Sequence, residues 1–142
     1  MSTSTVRRDV QFDLIPPDGP AVPVNVELVY EPADPYAIQV RFATGPVWIL
    51  GRELLGRGLL ERTGKGDVCL APLPHRPGYV QLVLMSPYGW AVFAVETDCL
   101  QEFLTCTYAR VPAGAEMAQV DLDAELAALL EGGFPESGRS AR

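Results

Sequence analysis

A glycine-rich run with one lysine, TGKGD at positions 63–67, is the segment of this sequence whose residue types could most readily do chemistry. Such a turn can surround an anion with backbone N–H groups while the lysine supplies positive charge. A phosphate-binding Walker loop, however, needs GxxxxGK[ST] between a strand and a following helix. Here a predicted helix precedes the run and a predicted strand follows it, so the sequence favours a plain turn over a phosphate site.

The other groups with catalytic potential stand apart from one another. His75 is the only histidine and lies among prolines, with no carboxylate or cysteine near it in the sequence to orient it as a general base. We therefore expect it on a surface loop. Cys69, Cys99 and Cys106 are an odd number at spacings that fit neither CxxC nor a zinc pattern. They are predicted to be buried free thiols, and no metal or cofactor is expected.

Acidic and aromatic residues also have simpler explanations than a site. Asp121 and Asp123 fit the capping of a helix N-terminus better than general acid–base catalysis. Trp48, Trp90 and Tyr36 could stack on nucleic-acid bases, but aromatics at alternate strand positions are more often core residues. A net charge of −7 also opposes the phosphate neutralisation on which nucleic-acid affinity depends. The sequence thus disfavours an enzyme and favours protein surfaces as ligands.

Length and composition indicate one globular domain. The chain has 142 residues, of which 48% are hydrophobic, enough material for a sizeable core. We predict a single domain over residues 1–134 and a disordered tail over 135–142. Neither a secretion leader nor an apolar run of about 18 residues is present. The expected location is therefore the cytoplasm, without a transmembrane segment.

Period-two alternation predicts four strands in the first third of the chain. Short turns rich in Pro, Asp and Gly separate these strands, which favours antiparallel neighbours. The predicted strands cover residues 6–14, 22–30, 36–43 and 47–50. A helix over residues 52–60 follows, because Leu54, Leu55, Leu59 and Leu60 fall on a single helical face. We expect this helix to pack tightly, with glycines required at its backbone and in its return, namely Gly56, Gly58, Gly64 and Gly66.

The second half predicts more strands and two further helices. Strands are expected over residues 68–73, 79–85 and 90–95, the last two apolar on both faces and hence covered on both. Asp98 is predicted to cap a helix whose inward face carries Leu100, Phe103, Leu104 and Thr107, and residues 111–119 are predicted to form a connector. Asp121 then caps a short final helix whose stripe comprises Leu122, Leu126, Leu129 and Leu130.

These elements predict an α+β fold. Strands followed by a helix occur twice, and a short C-terminal helix is appended. Two antiparallel sheets packed on each other, or a barrel, with flanking helices would bury the apolar faces of the strands.

Six segments, in this order, resemble the SsgA-like proteins, the sporulation and cell-division family of filamentous actinobacteria. They are DPYAIQVRF (34–42), WILGRELLGRGL (48–59), TGKGDV (63–68), SPYGWA (86–91), FLTCTYARVPAGAE (103–116) and DLDAELAALL (121–130). The family-motif residues that we expect to specify the fold or subunit contacts are Asp34, Pro35, Tyr36, Trp48, Arg52, Leu54, Leu55, Gly58, Gly64, Gly66, Asp67, Ser86, Pro87, Gly89, Phe103 and Leu104.

The resemblance implies a non-enzymatic adaptor in sporulation-specific cell division. Such a protein would recruit the tubulin-like protein FtsZ to future septa and promote its polymerisation, with other SsgA-like proteins as further partners. The resemblance also implies a fold similar to that of the Whirly single-stranded nucleic-acid binders, and a homotrimeric assembly. A nucleic-acid-binding module is therefore the alternative, although the chain lacks the positive charge of such binders. The resemblance identifies no partner-binding residues.

Overall fold

The structure is a computed structural model, and it describes residues 4–43, 45–120 and 129. The predicted C-terminal helix, apart from Leu129, and the predicted tail lie outside the described residues. Up to residue 110, the helices and strands occur in the order β1 (Val6–Leu14), β2 (Val22–Tyr30), β3 (Ala37–Phe42), β4 (Val47–Gly51), α1 (Arg52–Gly58), β5 (Thr63–Lys65), β6 (Val68–Pro72), β7 (Tyr79–Ser86), β8 (Gly89–Glu96) and α2 (Thr97–Arg110).

All eight strands form one antiparallel sheet in the order β4-β3-β2-β1-β8-β7-β6-β5, which curls into a half-barrel. Each half of this sheet is a meander of four consecutive strands. The halves meet where β1 pairs with β8 over only two residue pairs, Asp13 with Ala94 and Leu14 with Phe93. The α+β class is confirmed. The prediction of two sheets is wrong, because this short seam joins the meanders into one.

The hydrophobic core lies on the concave face of the half-barrel. Alternate strand residues point into it, including Phe12, Leu28 and Leu82, all at most 3% exposed. Helix α1 packs on β4, β5 and β6, while α2 packs on β1 and β8. Because α1 follows β4 directly and α2 follows β8 directly, both helices cover the end of the concave face at which those two strands finish.

The return from α1 into the sheet differs from the predicted turn. Residues 63–65 form the short strand β5, and the turn to β6 contains only Gly66 and Asp67. Gly66 has φ 62°, a left-handed conformation that favours glycine, as predicted. A Cβ on Gly58 would clash with the Leu70 side chain, so the predicted close packing of α1 is confirmed there. The predictions for Gly56 and Gly64 are wrong, since a Cβ would make ordinary contacts at both positions.

Three predicted helix boundaries also need correction. Helix α1 ends at Gly58 and not at residue 60. Helix α2 begins at Thr97, and its N-cap residue Glu96 makes no side-chain capping bond, so Asp98 lies within the first turn and not at the cap. There its negative charge suits the positive end of the helix dipole. The connector is shorter than predicted, because residues 116–120 are already helical.

Candidate functional site

Arg52 is the one fully buried charged side chain among the described residues, with 1% of its surface exposed. It is the first residue of α1. Residues three and seven positions later, Leu55 and Leu59, are buried on the same helical face. The periodicity that makes α1 amphipathic therefore carries the guanidinium into the core.

The Arg52 guanidinium is held by hydrogen bonds from two sides. Its Nη1 donates to the carbonyl oxygens of Thr107 at 3.2 Å and Val111 at 2.8 Å, at the end of α2. Its Nη2 donates to Glu116 Oε2 at 2.7 Å, forming an ion pair in which the glutamate side chain is 16% exposed. A buried charge requires such a partner because desolvation is costly. The pair thus ties α1 to α2 and to the segment after it.

Two tyrosine rings complete the surroundings of the guanidinium. Its central carbon lies 4.0 Å from the Tyr108 ring centroid and 5.1 Å from that of Tyr30. Such cation–π contacts offset part of the desolvation of a buried arginine. Among the buried side-chain nitrogen and oxygen atoms of the described residues, only Arg52 Nε has no hydrogen-bond partner.

The electrostatics of this cluster favour a charged pair and neutral tyrosines. Burial tends to raise the pKa of Glu116, but hydrogen bonds from Arg52 and from the Gly114 backbone N–H, at 2.8 Å, outweigh it and lower the pKa below its usual value. Burial raises the pKa of Tyr30 to about 12, although Arg52 opposes this shift. Burial likewise raises the pKa of Tyr108. The cluster is therefore built for stability, not for proton transfer near neutral pH.

The segment from Asp34 to Tyr36, the first three residues of the DPYAIQVRF motif, is linked to this cluster by hydrogen bonds. The Tyr30 hydroxyl donates to the Pro35 carbonyl at 3.0 Å, and the Arg52 backbone N–H donates to the Tyr36 carbonyl at 2.7 Å. The Asp34 carbonyl accepts from the Ala37 N–H at 3.2 Å and so closes the turn into β3. The structure thus brings four of the predicted motif residues together around the first residue of α1.

The opposite end of the half-barrel is an open apolar groove. It has a volume of about 920 Å³, and none of the described residues that line it is charged. We call it the open-end groove, and its lining residues are Leu14, Val24, Phe42, Gly45, Pro46, Val47, Trp48, Leu84, Ser86, Tyr88, Gly89, Trp90, Ala91 and Phe93.

The β7–β8 hairpin forms the rim of this groove. The Ser86 hydroxyl accepts from the Tyr88 N–H at 3.2 Å and donates to the Gly89 carbonyl at 3.3 Å, which fixes the turn containing Pro87. Tyr88 is 99% exposed and Trp90 is 74% exposed. The turn therefore presents two aromatic rings to solvent.

The aromatic residues that were predicted to be core residues occupy three different environments. Trp90 is exposed, Tyr36 is 41% exposed, and Trp48 is half-buried against the core. The prediction is wrong for the first two because the hairpin tip and the β2–β3 loop extend past the covered area. It is also wrong that β7 and β8 are covered on both faces, since only the core-facing residues of β7 are fully buried and β8 begins exposed.

The remaining predicted groups lie apart. His75 is exposed in the loop between β6 and β7, as predicted. The three cysteines are free, but each is half-buried, so the prediction of buried thiols is wrong. The described residues contain no group of three or more His, Cys, Asp or Glu side chains that could hold a metal ion. In the same residues, neither helix combines the length and apolar character that a bilayer crossing requires.

The other family-motif residues serve the core and the turns. The Asp67 carbonyl accepts from the Met85 N–H at 2.9 Å, beside the Gly66 turn. Gly64 lies in β5 and lines a depression of about 630 Å³ together with Lys65 and Tyr36. The residues buried in the core are Leu54, Leu55, Phe103 and Leu104.

Sequence reasoning missed the partners of Arg52. Tyr30, Tyr108 and Glu116 are up to 86 positions apart in the sequence, and their convergence depends on the fold. One local pattern indicates the burial of Arg52: its spacing of three and seven residues from Leu55 and Leu59 places a charge on an otherwise apolar stripe.

The fold and site define a class: an α+β half-barrel whose two helices are fixed by a buried ion pair and whose open end is apolar. The chain belongs to the SsgA family, because the model of the Streptomyces sporulation and cell division protein, SsgA, matches residues 24–116.

Relatives and solved structures agree with this family. The chain is 42% identical over 130 residues to the sporulation-specific cell division protein SsgB of Saccharopolyspora erythraea, covering 89% of this chain and 92% of that protein. It is 38% identical over 132 residues to the SsgB of Streptomyces coelicolor, covering 89% and 96%. The crystal structure of an SsgA-like sporulation-specific cell division protein from Thermobifida fusca has a TM-score of 0.84 at 40% identity, covering 92% of this chain and 98% of that one.

Proposed function

We propose that this protein is a non-enzymatic adaptor for sporulation-specific cell division, which recruits FtsZ to future septa and promotes its polymerisation. The observation that carries the proposal is membership of a family whose relatives, at about 40% identity over most of both chains, are named sporulation-specific cell division proteins. The chemistry of the molecule supports an adaptor, because the structure has an open apolar groove with exposed aromatic rings at its rim.

The same proposal includes an assembly. We infer a homotrimer that works in the cytoplasm at the division septum, together with other SsgA-like proteins. Exposed family-motif residues such as Tyr36 and Pro87 are candidates for contacts between subunits, since neither is needed to fill the core. Buried motif residues such as Phe103 and Leu104 specify the fold instead.

Co-sedimentation with FtsZ filaments tests the adaptor role. Purified protein is mixed with FtsZ and GTP at physiological salt and centrifuged, with a sample lacking GTP as the control for filament dependence. We expect the protein in the pellet only when filaments form, together with more pelleted FtsZ than without it. Equal amounts in the supernatant under both conditions would contradict the proposal.

A matched pair of variants locates the contact. Trp90→Ala removes an exposed aromatic ring at the groove rim, and Leu60→Ala removes an exposed apolar side chain, 84% exposed, that does not line the groove. Exposed aromatics are frequent binding hot spots. We expect the first variant to weaken co-sedimentation at least tenfold and the second to leave it unchanged.

Binding of single-stranded nucleic acid is the second candidate function. The exposed rings of Tyr88 and Trp90 favour it, because bases stack on such aromatics. The absence of charged residues from the groove lining opposes it, as does the net charge of −7. Retention of labelled single-stranded DNA with a steep salt dependence would support this function. Failure to shift an oligonucleotide even at low salt would exclude it.

A further inference from the structure

The outer edge of β4 carries main-chain groups without partners. β4 is one of the two edge strands of the sheet. On its inner side, the Phe42 N–H donates to the Pro46 carbonyl at 3.4 Å and the Arg52 N–H donates to the Tyr36 carbonyl at 2.7 Å. Both bonds fit the β3–β4 register, in which alternate residues turn both main-chain groups towards the same neighbour.

This alternation determines which groups of β4 face outward. If residues 46, 48, 50 and 52 face β3, then Val47 and Ile49 direct their N–H and C=O groups away from the sheet. The β3–β4 ladder uses the groups on the other side, and no turn, loop or cap hydrogen bond within the described part of the chain reaches these four groups. The edge therefore offers two donors and two acceptors at the spacing of a β-ladder.

The two edges of the sheet differ in how well they are protected. β5 has three residues, including Gly64 and the charged Lys65, so it is too short and too polar to accept another strand. β4 is VWILG, five residues without a charge. Natural proteins usually protect an edge of this kind with a charge, a bulge or a covering segment.

The β4 edge is continuous with the open-end groove. Val47, which is 52% exposed, and Trp48 belong both to β4 and to the groove lining. A strand added along this edge would direct alternate side chains towards an apolar and uncharged surface. The chemistry thus selects an uncharged segment with aromatic or aliphatic side chains at every second position.

We propose that the outer edge of β4 is a docking site for an extended, uncharged segment of a partner protein, which pairs with β4 as a ninth strand and places alternate apolar side chains in the open-end groove. This mode is β-strand addition, in which main-chain bonds give affinity and side-chain pockets give specificity. The proposal rests on the proposed adaptor role in requiring a protein partner, and it deepens that role by naming the chemistry of the bound segment.

A second copy of the chain fits this edge less well. Two copies paired through β4 would share a strand of five residues, about 17 Å long. Stable complexes of folded proteins bury roughly 1,200 Å² or more, which so short a strand pair does not provide. A flexible segment, by contrast, follows both the edge and the groove.

The test uses the full chain, immobilised, and a display library of random twelve-residue peptides. We expect enrichment of uncharged peptides with apolar residues at alternate positions. Ile49→Pro removes an outward donor but no β3–β4 bond, so the fold is retained and affinity for a selected peptide falls about tenfold. Val47→Lys adds a charge at the edge and is expected to have a similar effect, whereas the matched variant Leu60→Lys has none.

Each outcome decides the proposal. If no peptide is enriched, or if the selected peptides bind both edge variants as tightly as the unaltered protein, the proposal is overturned. A concentration-dependent dimer that Val47→Lys dissociates would overturn it in favour of a second copy. Shifts of the backbone amide resonances of Val47 and Ile49 on peptide addition provide a readout that does not depend on any variant. Because no FtsZ is present, failure of this test is distinct from failure of co-sedimentation.

Discussion

Removing the carboxylate of Glu116 tests whether the buried ion pair holds the helices in place. Glu116→Ala leaves the Arg52 guanidinium in the core without its anion. Loss of one partner from a buried pair typically costs about 3–5 kcal/mol. Here the guanidinium keeps two carbonyl acceptors and two aromatic rings, and the glutamate side chain is 16% exposed. We therefore expect the free energy of unfolding to fall by about 2–3 kcal/mol.

Urea denaturation followed by circular dichroism measures this loss at pH 7. Glu53→Ala is the matched control, because Glu53 is an exposed acidic residue on α1, adjacent to Arg52. It should change stability by less than about 0.5 kcal/mol. In the Arg52→Met background no buried cation remains, so Glu116→Ala should then cost less than about 1 kcal/mol.

The pair also predicts a pH dependence with a definite sign. The pKa of Glu116 is lowered in the folded protein, so its contribution is fully present above the unfolded value of about 4.5 and is lost as the pH falls through the lower folded value. The difference in stability between the unaltered protein and Glu116→Ala should therefore shrink below pH 4.5. Equal losses for Glu116→Ala and Glu53→Ala, or a difference that is constant down to pH 2, would refute the reasoning.

Three further predictions concern single residues. Gly58→Ala should destabilise the protein by about 1–3 kcal/mol because its Cβ would clash with the Leu70 side chain. Gly56→Ala, with its nearest contact at 3.9 Å, should instead stabilise α1 by up to about 1 kcal/mol, and thermal unfolding compares the two variants. Gly66→Ala places a side chain at φ 62° and should cost about 1–2 kcal/mol, and an equal effect of Gly64→Ala would contradict the conformational explanation. Tyr30, with a pKa raised to about 12, should make stability fall as the pH rises from 10 to 12, a slope that Tyr30→Phe should reduce in alkaline urea titrations, with Tyr108 supplying the remainder.

The first two strands could be predicted from the sequence because their own residues contain the whole pattern. Their observed bounds, Val6–Leu14 and Val22–Tyr30, equal the predicted ones. Alternation reports which residues share a face, and turns of Pro, Asp and Gly report where the chain reverses. Neither requires knowledge of distant segments.

The joining of the two meanders could not be predicted in this way. It rests on two residue pairs between strands about 80 positions apart, and no local periodicity encodes such a pairing. β5 was missed for a related reason, because three residues containing a glycine are too few to show alternation. Its strand character comes from pairing with β6.

The candidate site was predicted only in part for similar physical reasons. The motifs identified Arg52 and the β7–β8 turn. They did not show that Arg52 is buried or that the turn is exposed. Trp90 lies at the tip of a hairpin, and a period-two pattern does not show where the covering helices end. The location of Glu116 beside Arg52 depends on the path of the chain after α2.

The two ends of the half-barrel therefore have separable roles. The end that α1 and α2 cover contains the Arg52–Glu116 pair, whose contacts are all internal and whose loss lowers stability. The open end contains Trp90 and the β4 edge, where exposed apolar and unpaired main-chain groups add nothing to stability within one copy of the chain. The floor of the groove, with Leu84 and Phe93, belongs to the core, so the separation concerns its exposed rim. If the proposed roles hold, Glu116→Ala lowers stability and retains peptide binding below its unfolding transition, while Trp90→Ala does the reverse. A variant series that failed to separate the two properties would show that the rim also stabilises the fold.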